Sequence, residues 1–281
     1  MKILIYTHEY PPFLGGLATT SAKLANGISG SGHEVTVLAP GYGYDDKNLD
    51  SKAGFKTERM NGLTRNHGIP TPIKETAGMF ALRQQLSRQK PDLIITVTRE
   101  AHAAAGMLGD LPCKSITRVA GYEAVGYLST SKIFNKIVAL PMRTYYEKTE
   151  MIVCPSEATK ELFLKAGIHE SKLAVIYNGV SENLVTQKPD KSAIEKLRAK
   201  FKISEGDKIL LTVSRVVNGK GQESVIRILP DILKNHPDTK YLIAGHGSHE
   251  NYLRQLTKDL GLEGKVIFAG PIPNAEVINY Y

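Results

Sequence analysis

One stretch of the sequence, residues 209–221 (ILLTVSRVVNGKG), limits the fold of this chain more than any other. Residues 209–213 form an apolar, β-branched run of the kind that makes a strand buried on both faces of a sheet. Arg215 and Lys220 follow in a glycine-bearing loop, and apolar residues then recur at helical spacing. The stretch therefore predicts a strand, a loop and a helix of an α/β sheet, with two cations at the strand's carboxyl end.

Two cations in that position suggest a phosphate-binding role. Open α/β sheets bind ligands at the carboxyl ends of their strands, and a guanidinium and an ammonium near a helix N-terminus suit a diphosphate. Solvated loop charges would give the same sequence. Arg215 and Lys220 by themselves leave both interpretations open.

The N-terminal segment predicts a second such turn. Residues 2–7, 17–28 and 34–39 read as strand, helix and strand, with Gly15 and Gly16 at the first turn. Glycines there let backbone amides approach an anion at the start of the helix, although a tight turn would need the same residues. The pattern is not G-x-G-x-x-G, so the nicotinamide fingerprint is absent.

Between these turns the strand and helix patterns keep alternating. The polar, glycine-rich residues 41–50 predict a loop, whereas residues 131–149 predict a basic amphipathic helix, kinked or divided at Pro141. That helix could pack on the core or lie on anionic lipid. His102 is predicted at a strand's carboxyl end, where a histidine is either a packing residue or a catalytic one.

The chain is predicted to form two Rossmann-like domains, residues 1–185 and 186–281, joined by a polar linker near residues 181–190. The second domain has three predicted strands, at residues 208–214, 240–244 and 265–269. A doubly wound domain usually has more strands, so we expect the second domain to be incomplete.

Composition narrows the class of protein. The 281 residues include 42% hydrophobic and 23% charged residues, which indicates a soluble globular protein. The formal charge of +8 is compatible with an anionic substrate or a membrane surface, but no arginine-rich or aromatic RNA-binding signature supports nucleic acid. No signal peptide or membrane span is recognisable, and the two cysteines lack metal-ligand spacing. These features predict a cytoplasmic protein with reduced thiols.

Several segments taken together resemble one family. They are GGLATTSAKLANGISGSGHEVTVLAP, VCPSEATKELFLKAGIHESKLAVIYNGV, ILLTVSRVVNGKGQESVIRILPDILKNHPDTKYLIAGHG and VIFAGPIP. In order and spacing they are similar to the family 4 glycosyltransferases, retaining enzymes of the GT-B fold. The resemblance implies transfer of a sugar from a UDP- or GDP-type donor to a glycan or lipid-linked acceptor hydroxyl, with peripheral membrane contact and without a metal or cofactor.

The resemblance also implies roles for residues. Arg215 and Lys220 would act in catalysis by holding the diphosphate and stabilising it as the leaving group. The segments at the other predicted turns would bind the donor, through Gly15, Gly16, Gly245, His246, Gly247, Pro271 and Ile272. The acceptor or the transferred sugar would contact His102, Gly121 and Glu123.

The sequence departs from the family pattern at two places. Ala120 stands where the family commonly has a histidine, and the paired glutamates expected after VIFAGPIP do not occur before residue 281. We therefore expect the 281-residue chain to be a truncated form or fragment with little or no activity. Two alternatives stay open, a GT-B-fold sugar-nucleotide epimerase and a non-catalytic nucleotide-binding subunit.

Overall fold

The segment KILIY forms β1 (Lys2–Tyr6), a central strand of a seven-stranded parallel sheet, and its last four residues are an apolar, buried run. Its side chains alternate between the two faces, since Leu4 and Tyr6 belong to one core cluster and Ile3 and Ile5 to the other. A strand covered on both faces needs apolar residues at every position, which explains the unbroken run. The computed structural model describes residues 1–13, 15–60, 62, 69–121, 125, 126, 128, 133–180 and 186–281.

The first compact unit, Met1–Asn178, is doubly wound, with the strand order β3-β2-β1-β4-β5-β6-β7. The other strands are β2 (Glu34–Pro40), β3 (Lys56–Met60), β4 (Leu93–Thr96), β5 (Lys114–Arg118), β6 (Met151–Cys154) and β7 (Leu173–Val175). The helices are α1 (Gly16–Gly30), α2 (Tyr44–Lys52), α3 (Thr71–Gln89), α4 (Arg99–Leu108), α5 (Ile133–Lys148) and α6 (Glu157–Lys165), with a short 3₁₀ turn at Glu170–Lys172.

The second compact unit, Gly179–Tyr281, has a three-stranded parallel sheet in the order β10-β9-β8. Its elements are α7 (Lys191–Lys200), β8 (Lys208–Val213), α8 (Gln222–Asn235), β9 (Thr239–Ala244), α9 (Glu250–Asp259), β10 (Val266–Gly270) and a 3₁₀ helix at Asn274–Asn279. Its core lies between the sheet and helices α8 and α9. No helix in the described part of the chain is both long and apolar enough to cross a membrane.

Helix α2 corrects the sequence analysis, because residues 41–50 were expected to form a loop. The segment lacks apolar periodicity, but the carboxylate of Asp46 caps the helix by accepting the backbone N–H of Gly43 at 2.9 Å. Arg59 on β3 then pairs with both carboxylate oxygens of Asp50, at 3.0 and 2.7 Å. A local cap and a polar contact to β3 therefore stabilise a helix that the hydrophobic pattern does not indicate.

Helix α5 continues through Pro141 as one element, so of the two predicted effects of this proline, division of the helix does not occur. From residue 139 onward its buried side chains are Ala139, Met142, Tyr145 and Tyr146, so that Met142 lies three residues after Ala139 and three or four before the two tyrosines. These side chains pack on the core of the first unit, which is one of the two predicted alternatives for this helix.

Glycine at position 106 sets the distance between α4 and α5. A Cβ at Gly106 would overlap the carbonyl oxygen of Pro141, so only glycine lets the two helices approach this closely. We expect Gly106→Ala to lower the free energy of unfolding by about 2 kcal/mol in urea denaturation. Gly27→Ala is the matched control, since a Cβ there meets nothing within 4 Å. Equal stability of the two variants would contradict this interpretation.

Candidate active site

The sheet of the first unit reverses its strand order between β1 and β4. Open α/β sheets bind ligands outside the carboxyl ends of the strands at such a switch point. Two hydrogen bonds join the strand ends here: the backbone N–H of His8 donates to Oγ1 of Thr98 at 2.9 Å, and that of Val97 to the carbonyl oxygen of Tyr6 at 3.0 Å. The loops that leave these two strands therefore form the candidate site of the first unit.

The glycine pair lies at the start of α1, beside the switch point. Gly15 is the N-cap residue in extended backbone, and no side chain caps the helix. A Cβ at Gly15 would come within 3.1 Å of Oε2 of Glu9, whereas one at Gly16 would meet nothing within 4 Å. The first N–H groups of a helix have no acceptor within the helix, so this end of α1 can offer backbone donors to an anion.

Four charged side chains form a cluster at the same edge of the sheet. Arg99 donates from Nη1 to Glu75 at 2.8 Å and from Nη2 to Glu100 at 3.3 Å, and Nζ of Lys74 lies 3.3 Å from the same oxygen of Glu100. Their side chains are only 4–17% exposed. Charges that are so nearly buried need partners, and here two cations and two carboxylates supply them to each other.

The two carboxylates of the cluster differ in electrostatics. Burial raises the pKa of Glu75 despite its contact with Arg99. Burial would also raise the pKa of Glu100, but Arg99, His8, a backbone hydrogen bond and Lys74 together hold the pKa of that carboxyl below its ordinary value. Glu100 is therefore a persistent anion at the switch point.

His8 and helix α3 complete this edge. The hydroxyl of Tyr6 lies 2.9 Å from Nε2 of His8, and both residues are fully buried. A Cβ at Gly78 of α3 would overlap the Tyr6 hydroxyl, so glycine lets the helix close over the pair. The helix can therefore bring Lys74 and Glu75, four and three residues earlier, to the strand ends.

Sequence reasoning missed this cluster, although a usable signal was present. His8 directly follows the first predicted strand, and Arg99 and Glu100 follow the fourth. The rule that parallel sheets bind ligands at carboxyl ends would have selected all three. Lys74 and Glu75 gave no such signal, because only tertiary packing brings α3 to this edge.

His102, predicted to contact acceptor or sugar, lies on α4 with its side chain 1% exposed. Its Nδ1 is 2.8 Å from the Tyr146 hydroxyl, and its ring stacks on Tyr145 with centroids 6.3 Å apart. Burial lowers the pKa of His102 to about 3, so the imidazole is neutral at physiological pH. This environment favours packing over contact with a substrate.

The remaining acceptor-side candidates follow β5. Gly121 has a φ of 152°, a conformation that side-chain-bearing residues rarely adopt, and Ala120 beside it is exposed. Glu123 lies outside the described residues. The roles of Gly121 and Glu123 therefore stay predictions.

The second unit joins its strand-end loops through backbone hydrogen bonds. The N–H of Ser214 donates to the carbonyl oxygen of Ala244, and that of Val216 to the carbonyl oxygen of His246, both at 3.0 Å. The N–H of Gly245 donates to Gly270 at 2.8 Å. The loops after β8, β9 and β10 therefore form one continuous edge.

Two glycines make this contact between loops possible. A Cβ at Gly245 would overlap the carbonyl oxygen of Ser214, and one at Gly247 would overlap that of Val216. Gly245 also has a φ of 144°, which favours glycine. These residues were predicted to bind the donor, and the structure gives them a steric reason to be glycine as well.

Arg215 and Lys220 stand at this edge, as the sequence predicted. Both are exposed, and within the described part of the chain neither side chain has an ion-pair or hydrogen-bond partner. Gly219 and Gly221, with φ of 85° and 84°, turn the loop into α8, whose N-cap is Gly221. Two unpaired cations next to a helix N-terminus form an electrostatic environment suited to an anion.

The other donor-side candidates border the same edge. The His246 side chain is 72% exposed and its Nδ1 lies 3.0 Å from Oε2 of Glu250. Pro271 and Ile272 follow β10, the first exposed and the second partly buried. Their contacts with a nucleotide stay predictions. Among the described residues, no group of three or more histidines, cysteines and carboxylates could hold a metal ion.

Comparison with known proteins identifies the family. Residues 14–184 match the model of Glycosyltransferase Family 4, and residues 193–281 match that of Glycosyl transferases group 1. The first match covers more than half of the chain. The chain belongs to glycosyltransferase family 4. Membership confirms the predicted enzyme class, a glycosyltransferase, and favours it over an epimerase.

Sequence alignments with relatives cover nearly all of this glycosyltransferase. An uncharacterized glycosyltransferase of Methanocaldococcus jannaschii is 29% identical, with 96% of this chain and 69% of the relative covered. The alpha-monoglucosyldiacylglycerol synthase of Streptococcus pneumoniae is 24% identical, with 100% of this chain and 64% of the relative covered. The chain therefore spans about two thirds of each relative's length.

Solved structures show the same fold. The crystal structure of Anabaena Alr3699/HepE in complex with UDP-glucose superimposes with a TM-score of 0.75 at 20% identity, covering 100% of this chain and 71% of that one. At this identity the likeness concerns fold alone. It confirms the predicted α/β class with Rossmann-like units of the GT-B type.

The buried neutral state of His102 predicts how stability depends on pH. Unfolding restores an ordinary pKa of about 6.5. Between that value and the folded pKa of about 3, the unfolded chain therefore binds a proton that the folded chain does not. The contribution of His102 thus lowers stability as pH falls, by about 1.4 kcal/mol per unit. In urea denaturation, His102→Gln should cost about 1 kcal/mol at pH 8, and this loss should vanish or reverse at pH 5.

The control for this experiment is His33→Gln, which alters a partly exposed histidine of the same unit. Its stability should follow that of the unmodified protein across the pH range. A loss at His102→Gln that stays constant from pH 8 to pH 5 would contradict a neutral buried imidazole.

Proposed function

We propose that this protein transfers a hexosyl group from a UDP- or GDP-sugar to a hydroxyl group of a lipid-linked or glycan acceptor, with retention of anomeric configuration. The unpaired cations Arg215 and Lys220 are the observation that carries the proposal. A diphosphate supplies the negative charge that the described residues around them do not.

The chemistry follows from this charge arrangement. The bond between the anomeric carbon and the β-phosphate oxygen breaks and its electron pair stays on the diphosphate. The acceptor oxygen forms the new bond to the anomeric carbon, and its hydroxyl proton passes to the departing diphosphate. Negative charge on the diphosphate therefore grows toward the transition state. Fixed cations stabilise that state more than the intact donor, which lowers the barrier.

The comparisons support a sugar nucleotide and favour a lipid-type acceptor. One structural relative was crystallised with UDP-glucose, and one sequence relative is named for the synthesis of a glycosylated diacylglycerol. A lipid-linked acceptor would bring the protein to the cytoplasmic face of a membrane as a peripheral protein.

The first unit would supply the acceptor side of the reaction. Its switch-point cluster contains hydrogen-bond donors on Lys74 and Arg99 and hydrogen-bond acceptors on Glu75 and Glu100, so two cations face two carboxylates. A hydroxyl group both donates and accepts hydrogen bonds, so it can join such a cluster without adding a charge that must be buried. In the same unit, the backbone amides at Gly15 and Gly16 would offer hydrogen-bond donors to the anionic sugar nucleotide.

A donor screen tests the proposal directly. The protein is incubated with UDP- and GDP-hexoses and with glycan or diacylglycerol acceptors, and products are identified by mass and by anomeric configuration in NMR spectra. A product with the donor's configuration supports the proposal. An inverted product contradicts retention, and failure of every donor to react or bind contradicts the proposed function.

Removal of either cation should impair donor turnover. In a form of this protein that matches the length of its relatives, we expect Arg215→Ala and Lys220→Ala each to lower the rate of nucleoside-diphosphate release by ~10²-fold, because each removes a charge that stabilises the leaving group. Lys258→Ala, which removes an exposed cation from α9 of the same unit, is the matched control and should leave the rate unchanged. Unchanged rates in both test variants would refute these roles.

A further inference from the structure

We propose that Gln222 is a positioning residue for the two donor-binding cations. This inference rests on the proposed function, since it assigns a role within the same diphosphate site. Gln222 is the first residue of α8, directly after the loop that contains Arg215 and Lys220. Its side chain is directed back to the end of β8 and connects the two ends of that loop.

The contacts of Gln222 determine how its amide group is oriented. Nε2 donates to Oγ of Ser214 at 2.9 Å and to the carbonyl oxygen of Arg215 at 3.2 Å. A carbonyl oxygen can only accept a hydrogen bond, so the NH₂ end of the amide must face Arg215. The hydroxyl of Ser214 also lies 3.2 Å from that carbonyl oxygen. Three polar groups therefore fix the backbone from which the Arg215 side chain projects.

Burial distinguishes Gln222 from an ordinary surface glutamine. The residue is 1% exposed, at a position of α8 next to the core residues Ile226 and Leu229. Burying a primary amide costs free energy unless its hydrogen bonds are made. An apolar side chain could fill the same space without that cost. The amide is therefore better explained by its contacts with Ser214 and Arg215 than by packing.

The loop needs such a connection because its own residues favour flexibility. Gly219 and Gly221 both adopt positive φ, and glycine loses more conformational entropy on ordering than other residues. The Arg215 and Lys220 side chains make no hydrogen bond or ion pair with the described residues that could hold the loop. The Gln222 amide ties the helix start to the strand end, so that both cations are presented together before a diphosphate arrives.

The experiment measures binding of UDP and GDP to the whole chain by isothermal titration calorimetry. Gln222→Met keeps the length of the side chain and removes the amide, and we expect it to weaken binding of the preferred nucleotide by roughly tenfold. Gln255→Met is the matched control, because Gln255 is an exposed glutamine of the same unit that bonds Asp259 at 2.7 Å. It should leave the dissociation constant unchanged.

A second arm separates positioning from a structural role. Gln222→Met is combined with Lys220→Ala, and we expect it to cost much less in that background, because part of its effect acts through Lys220. A residue with only a structural role would lower the melting temperature but weaken binding by the same factor in both backgrounds, or not at all. If Gln222→Met does not fold, Ser214→Ala removes one of the two acceptors and takes its place in the same comparison.

The outcomes distinguish this inference from the proposed function. If Arg215→Ala and Lys220→Ala weaken binding while Gln222→Met behaves like Gln255→Met, the positioning role is wrong and the proposed function stands. If the unmodified chain binds neither UDP nor GDP, or the two cation variants bind as well as it does, the proposed function fails and this inference fails with it.

Discussion

Parallel pairing of strands is the constraint on which the rest of this structure depends. Every neighbouring pair of strands in both sheets is parallel, so each strand delivers the loop that follows it to the same edge. In the second unit this geometry places the loops after β8, β9 and β10 side by side. Backbone hydrogen bonds then continue between the loops beyond the strands themselves, from Ser214 to Ala244 and from Val216 to His246.

Close approach of backbone to backbone determines which residues can occupy that edge. The loop after β9 lies directly on the loop after β8, and only glycine at positions 245 and 247 leaves room for it. The loop that contains Arg215 and Lys220 is thus held by backbone hydrogen bonds to the loop after β9. A loop held in this way offers dipoles that do not rearrange when charge develops, which is the condition for electrostatic stabilisation of a transition state.

The charged side chains at the carboxyl ends of the two sheets differ in burial and in pairing. In the first unit Arg99 is paired with both Glu75 and Glu100, and the cluster is nearly buried. Buried ion pairs contribute little net stability compared with apolar packing, because desolvation offsets their attraction. A polar cluster at a switch point is therefore easier to understand as a binding surface than as a stabilising one. In the second unit Arg215 and Lys220 are exposed and unpaired by the described residues, which leaves their field available to an anion.

The sequence by itself determined the α/β class, most strand and helix positions, and the location of Arg215 and Lys220 at a strand end. It could do so because buried strands, amphipathic helices and glycine turns are local patterns that neighbouring residues specify. Only the tertiary structure decided that α2 is a helix, since its support comes from Arg59 on another element. It also decided that His102 packs against Tyr145 and Tyr146, that α3 brings Lys74 and Glu75 to the switch point, and that Gln222 reaches back to Arg215. These features join residues distant in sequence or depend on the direction of a side chain. The local sequence pattern specifies neither long-range contacts nor side-chain direction.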